Sequence, residues 1–230
     1  MADHLQNNNS RISIQVSLSG YSFKVWQDGA AHSSGWVGAD RIFTTPEFQR
    51  RYDEVELSLF TPKCTLVPEN FFDPSSARSA LSEVVLLRDS DAVDFVAVPD
   101  SGAVLVYSNS MDESLSAAIS QTVRDSSGTS PRILPELYYL LKSLRECPEY
   151  NKIIASYMDG YLHLAIAQGH GLLLANVYEA VDFTTAEYFI FLAMRKLQLN
   201  PEMSTVCFRT PLSSEEEMSL YRYFKSVEVL

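Results

Sequence analysis

Two histidines, His163 and His170, flank the Gly169/Gly171 turn in the stretch SYMDGYLHLAIAQGHGLLLANVYEA, Ser156–Ala180. Imidazoles are good ligands for first-row metals, but a protein site needs at least a third ligand. None lies near in sequence, so hydrogen-bonded or exposed histidines are expected and no metal site. The three cysteines, Cys64, Cys147 and Cys207, are far apart, form no CxxC and have no His close by. That argues against a zinc ribbon, a disulfide framework or an activated thiol, and for buried free thiols in a reducing compartment. No GxSxG, Walker A or GxGxxG pattern occurs. Two-metal hydrolysis needs several carboxylates on adjacent strands, and RISIQVSLS and YSFKVWQ offer none. No catalytic residue, metal ligand or cofactor is expected, and the motifs lean against an enzyme.

Composition narrows the partners. The chain has 230 residues with 18 Lys plus Arg and 29 Asp plus Glu, a net charge of −11. Such a chain repels phosphate backbones and anionic lipid, and it has no basic run to act locally against that field. Nucleic-acid binding and membrane insertion are not expected. The start, MADHLQNNNS, has no apolar core of a signal peptide, and no apolar run approaches the ~20 residues that span a bilayer. A cytoplasmic protein is expected, with a protein partner and an oligomeric state that the sequence leaves open.

These residues must be positioned by a mixed α/β chain. Residues 1–10 read as a disordered tail. Ile12, Ile14, Val16 and Leu18 alternate with polar residues, the pattern of a half-buried strand. Tyr21, Phe23 and Val25 continue it, and Asp28-Gly29 is a two-residue hairpin signal because both positions favour positive φ. A third strand is expected over Ala30–Val37. Short helices are expected at TTPEFQRRY and within DPSSARSALSEVVLL, and a longer one over roughly Asp112–Val123. DFVAV and AVLVYS form two strands joined by Pro99–Gly102. RDSSGTSP, Arg124–Pro131, has a linker's composition.

The second half repeats this order without repeating the sequence. PELYYLLKSL carries a Leu137/Leu140/Leu141/Leu144 stripe. A meander with turns at Asp159-Gly160 and Gln168–Gly171 follows. TTAEYFIFLAMRKLQL is a helix with an expected Thr184/Glu187 capping box, apolar enough all round for deep burial. STVCFR, SSEEEMSLYRYFKS and VEVL read as strand, helix and strand, with Glu215–Glu217 suiting the helix N-terminus. Trp26 and Trp36 read as packing residues of the first hairpin, and Phe71-Phe72 as a staple. The expected lobes are 11–130 and 131–230.

The segments ISIQVSLSGYSFKVW, TLVPENFF and GLLLANVYEAVDFTTAEYFIFLAMRKLQLNP resemble an uncharacterised bacterial family found mainly in Bacteroidales. The resemblance covers nearly the whole chain after the tail. It implies an actin-like ATPase fold: α/β with mixed sheets, two ribonuclease-H-like lobes, each a three-stranded meander followed by alternating helices and strands. It also implies members that run some tens of residues past Leu230, so the C-terminal edge is expected to lack a final element.

In working actin-like ATPases the first meander supplies an Asp and a small-residue turn, and the second an Asp-Gly-rich phosphate loop. The matching turns here are Ser17–Tyr21 and Asp159–Tyr161. If nucleotide binds, the resemblance places it on Ser17, Ser19, Gly20, Asp159 and Gly160. The first turn carries no carboxylate, however, and Tyr161 stands where a small residue lets backbone approach phosphate. Ser17 and Ser19 also suit the wet face of a strand, and Asp159-Gly160 a plain hairpin. The expected function is a non-catalytic binding or scaffolding module. A weak nucleotide binder or ATPase with rearranged phosphate loops is the alternative.

Overall fold

The computed structural model describes residues 10–17, 20–41, 43–98, 101–109 and 123–230. Ser19, residues 1–9 of the expected 1–10 tail and most of the helix expected over 112–123 lie outside them, while Ser10 is ordered by hydrogen bonds to the Asp53 carboxylate.

The chain forms two compact units. The first holds residues 1–58 and 111–133, the second residues 59–110 and 134–230. The division differs from the expected contiguous lobes, because residues 59–110 sit with the C-terminal half. Sequence order hides this, since a composition change marks a linker but not the unit to which an inserted segment returns.

In the first unit, β1 (Arg11–Val16), β2 (Gly20–Gln27) and β3 (Ala30–Ser33) form an antiparallel meander. Asp28 and Gly29 turn it at φ of 53° and 77°, the left-handed pair of a type I′ hairpin. The third strand is shorter than expected, and β4 (Val37–Gly38) pairs separately with the start of β2. The stretch TTPEFQRRY yields only a 3₁₀ turn over Pro46–Gln49, then β5 (Arg51–Tyr52), which pairs with β10 (Arg124–Asp125). β6 (Glu54–Leu59) lies beside β1, and β11 (Ile133–Pro135), where the unit ends, lies beside β6. The sheet order is β11-β6-β1-β2-β3.

β1 is not half-buried. Ile12, Ile14 and Val16 face an apolar cluster with Tyr21, Phe23, Phe48 and Leu57, but Ser13 and Gln15 are buried too. Their hydrogen bonds make this tolerable. Gln15 Nε2 donates to Ser13 Oγ at 3.2 Å, and Ser22 Oγ donates to Gln15 Oε1 at 2.9 Å.

In the second unit, β7 (Cys64–Pro68), β8 (Val93–Val98) and β9 (Ala103–Ser108) form an antiparallel sheet that packs on α1 (Ala77–Ser82). A five-stranded sheet follows. β12 (Asn151–Met158), β13 (Tyr161–Gln168) and β14 (Gly171–Glu179) are antiparallel, and β15 (Thr205–Phe208) and β16 (Ser226–Val229) join β12 in parallel. Its order, β14-β13-β12-β15-β16, matches the first unit's path β3-β2-β1-β6-β11 once β4, which pairs with β2 off that path, is left out.

Helices cover both faces of this sheet. On one side, Leu137, Leu140, Leu141 and Leu144 of α2 (Glu136–Glu146) meet Ile154, Ala165 and Cys207, with Val98 and Leu105 in the same cluster. On the other, Ala186, Ile190, Ala193 and Met194 of α3 (Phe183–Lys196) meet Ile153, Leu162, Leu164 and Val206. Side chains buried this fully contribute roughly 1.5–3 kcal/mol each for a Leu or Ile. α3 is capped by Asp182, whose carboxylate accepts from Thr185 N–H at 2.7 Å, and not by Thr184. Asp182 has the extended φ of −148° that a cap needs. Glu187 is buried instead and accepts from Ser219 Oγ, while Tyr188 is 60% exposed, so α3 is less deeply buried than its composition implies. The capping box belongs to α4 (Ser214–Tyr221), formed by Ser213 and Glu216.

Candidate functional site

The first turn closes on itself. Ser17 is buried, not on a wet face. Its N–H donates to Gly20 O at 2.9 Å, and its Oγ donates to the same carbonyl at 3.4 Å. Gly20 is hemmed in: a Cβ there would lie 2.3 Å from Val37 O and 2.7 Å from the Trp36 ring. Glycine is therefore required by close approach of backbone and indole, which gives Trp36 its packing role. Gly20→Ala is expected to destabilise the protein by about 1–3 kcal/mol, because a backbone oxygen must move. Urea denaturation checks this, and an unchanged midpoint would contradict the packing. Trp26 lies under Arg11 and Lys24, at 4.9 and 5.3 Å from its ring centroid.

The second turn is a two-residue hairpin. Met158 pairs with Tyr161, and Asp159 and Gly160 take φ of 51° and 77°. Gly160 O accepts from Ala180 N–H at 2.7 Å, and Tyr157 Oη donates to Ala180 O at 3.1 Å. Burial raises the Tyr157 phenol, and the charges of Asp182, Glu216 and Asp159 raise it further. The surroundings of this turn are thus negative, which disfavours an anionic ligand unless a cation accompanies it.

Behind that turn lies a buried polar cluster that the sequence reading did not assemble. Ser156 on β12 pairs with His163 on β13. Glu136, the first residue of α2, accepts from Ser156 Oγ at 2.6 Å and from Arg209 Nε at 3.0 Å on one oxygen, Oε1. Arg209 Nη1 also donates to Ser143 Oγ at 3.4 Å, and its guanidinium stacks 5.1 Å from the Tyr139 ring. His163 Nε2 meets Thr61 O at 3.1 Å and its ring packs edge-on against Phe60. Burial pushes the His163 pKa down to about 4, against the opposing pull of the Glu136 charge and the Thr61 carbonyl. His163 is therefore neutral at pH 7, with its proton on Nε2 facing Thr61. Among the described residues, His163 Nδ1 and Glu136 Oε2 have no hydrogen-bond partner. Both are acceptors, so neither can satisfy the other. The signal for this cluster was present in the sequence: Ser156 and His163 interrupt apolar strands, and Glu136 opens an apolar helix stripe.

The cluster is structural in kind. Its one carboxylate is matched by one guanidinium, and Glu136, Ser156 and His163 are fully buried. His170 is on the β13–β14 turn, ~20 Å along the strand from His163 at about 3.3 Å per residue. The two histidines do not share a site. Among the described residues no three of His, Cys, Asp and Glu are grouped to hold a metal. The cysteines are free. Burial pushes Cys64 and Cys207 up to about 12, so neither is an active thiolate. No described helix is long and apolar enough to cross a membrane.

The two sheets of common order define the fold class. The chain is similar to a Bacteroides thetaiotaomicron protein with an actin-like ATPase fold and unknown function, at 17% identity and TM-score 0.65, over 100% of this chain and 94% of that one. The fold is that of the actin-like ATPases. The chain belongs to the family described as "Protein of unknown function (DUF3822)", whose profile matches residues 39–227. Weaker likenesses are the cytoplasmic domain of EpsL, an inner-membrane component of the Vibrio cholerae type II secretion system (15% identity, TM-score 0.48, 89% of this chain and 84% of that one), and the PilM–PilN type IV pilus biogenesis complex (13%, 0.49, 95% and 88%). No curated protein matches the chain.

Proposed function

We propose that the chain is a non-catalytic actin-like-fold module of the cytoplasm that binds or scaffolds a protein partner. The observation that carries this reading is the first turn. Both donors of Ser17 are directed at Gly20 O, and Gly20 lies against the Trp36 indole and the Val37 carbonyl. A phosphate loop needs free N–H groups and an open approach; here the Ser17 N–H is taken and the approach at Gly20 is closed. The acid-rich surroundings of Asp159-Gly160 support the same reading, as does a net charge of −11.

Calorimetric titration with Mg-ATP tests it. No saturable heat is expected, and Asp159→Asn is expected to alter stability alone. A micromolar Kd abolished by Asp159→Asn would replace this reading with that of a nucleotide binder using rearranged loops.

A further inference from the structure

We propose that the second unit carries a binding site for a small amphiphilic anion, a carboxylate or phosphate head on a short apolar body, in the pocket at the C-terminal end of α2. The pocket has a volume of about 460 Å³ and brings together Arg145, Lys152 and His170 with Leu141, Leu144 and Leu172. That volume falls within the range of small-molecule sites.

Lys152 is the decisive residue. Its side chain sits on β12 beside Ala167, and the residue is only 9% exposed. Among the described residues no hydrogen bond or ion pair engages its ammonium. The stem is covered while the ammonium opens to the pocket, so it presents there a positive charge that no described residue answers. The described lining contains Arg145 and His170 and no carboxylate, although acids outnumber bases in the chain by 29 to 18. Basic groups are thus gathered here against the composition. The leucines supply the other half of the recognition, since an inorganic ion would leave them against water. A head that meets Lys152 and Arg145 and a chain that covers the leucines satisfies both parts. The site does not use the turns on which the proposed function rests, so the two readings fail separately.

The test is titration of the full chain with octanoate, octyl phosphate, acetate, 1-octanol and octylammonium, followed by calorimetry. Octanoate, octyl phosphate or both are expected to bind one saturable site, and their ranking reports which head the pocket prefers. The alcohol, the ammonium and acetate are expected to bind roughly tenfold or more weakly, the loss of one charge-assisted contact or of the apolar body. Lys152→Met, which keeps length and removes charge, is expected to weaken binding at least about tenfold. Arg145→Gln, at an exposed residue, is expected to weaken it severalfold and carries the test if Lys152→Met does not fold. The proposal is overturned if neither anion binds saturably, if octanol or acetate binds as well as the tighter of the two octyl anions, if a folded Lys152→Met binds like the wild type, or if Arg145→Gln does.

Discussion

Replacing Arg209 by methionine is expected to destabilise the protein by about 3–5 kcal/mol, the cost of breaking a buried ion pair from one side. Glu136 is fully buried, and its Oε1 accepts from Arg209 Nε and Ser156 Oγ. Without the guanidinium, Ser156 alone would answer a desolvated carboxylate. The stacking of Arg209 on Tyr139 would also be lost. Methionine keeps the apolar stem, so the loss reports charge and hydrogen bonding more than volume. In urea this corresponds to a midpoint lowered by roughly 1–2.5 M, for a denaturant slope of about 2–3 kcal/mol per M. The double variant Glu136→Leu/Arg209→Met is expected to recover most of the loss, because it removes both charges together. A single-variant cost below about 1 kcal/mol would show that water reaches the pair and that the cluster is not the sealed structure described above.

The second large effect is a pH dependence carried by His163. Its pKa lies at about 4 in the folded protein against an ordinary value of 6.5. The unfolded chain therefore binds the proton first as pH falls. The stability contributed by a neutral His163 is present above pH 6.5 and is lost progressively as pH falls towards 4. A difference of this size amounts to about 3 kcal/mol over that window. The groups facing the imidazole account for the direction. Burial against Phe60 disfavours charge, and the Thr61 carbonyl and the Glu136 carboxylate only partly oppose it, with Arg209 bonded to that carboxylate. Carboxylates elsewhere also titrate in acid, so the measurement is a comparison. Urea midpoints of wild type and His163→Gln, which keeps a donor for Thr61 O, should be followed from pH 7 to pH 4.5. The wild type is expected to lose more stability, by about 2.5 kcal/mol at pH 4.5. Parallel profiles would exclude His163 as the source.

Which features were legible follows from the range of the forces that make them. Asp28-Gly29 and Asp159-Gly160 were readable because a left-handed turn is decided by the two residues that adopt it. The α2 leucine stripe was readable because helical spacing places it on one face. The cap of α3 was misassigned between neighbours: Thr184 and Glu187 have capping-box spacing, but Asp182 takes the extended conformation and its carboxylate the Thr185 N–H. The pairing of Glu136 with Arg209 spans 73 residues, and no local pattern links two side chains across that distance.

By itself, the sequence determined the two meanders, the long helices of the second half, the hairpin turns at Asp28-Gly29 and Asp159-Gly160, and the acidic charge. Each of these follows from residue type and spacing over a few positions. Only the tertiary structure decided that Ser13, Gln15 and Ser17 are buried, that residues 59–110 join the second unit, and that Glu136, Ser156, His163 and Arg209 form one cluster. Burial of a polar side chain depends on what covers it, and the covering residues come from distant parts of the chain. Lys152 shows the same limit, since a lysine in a strand reads as a solvated charge until α2 and the β13–β14 turn close around it.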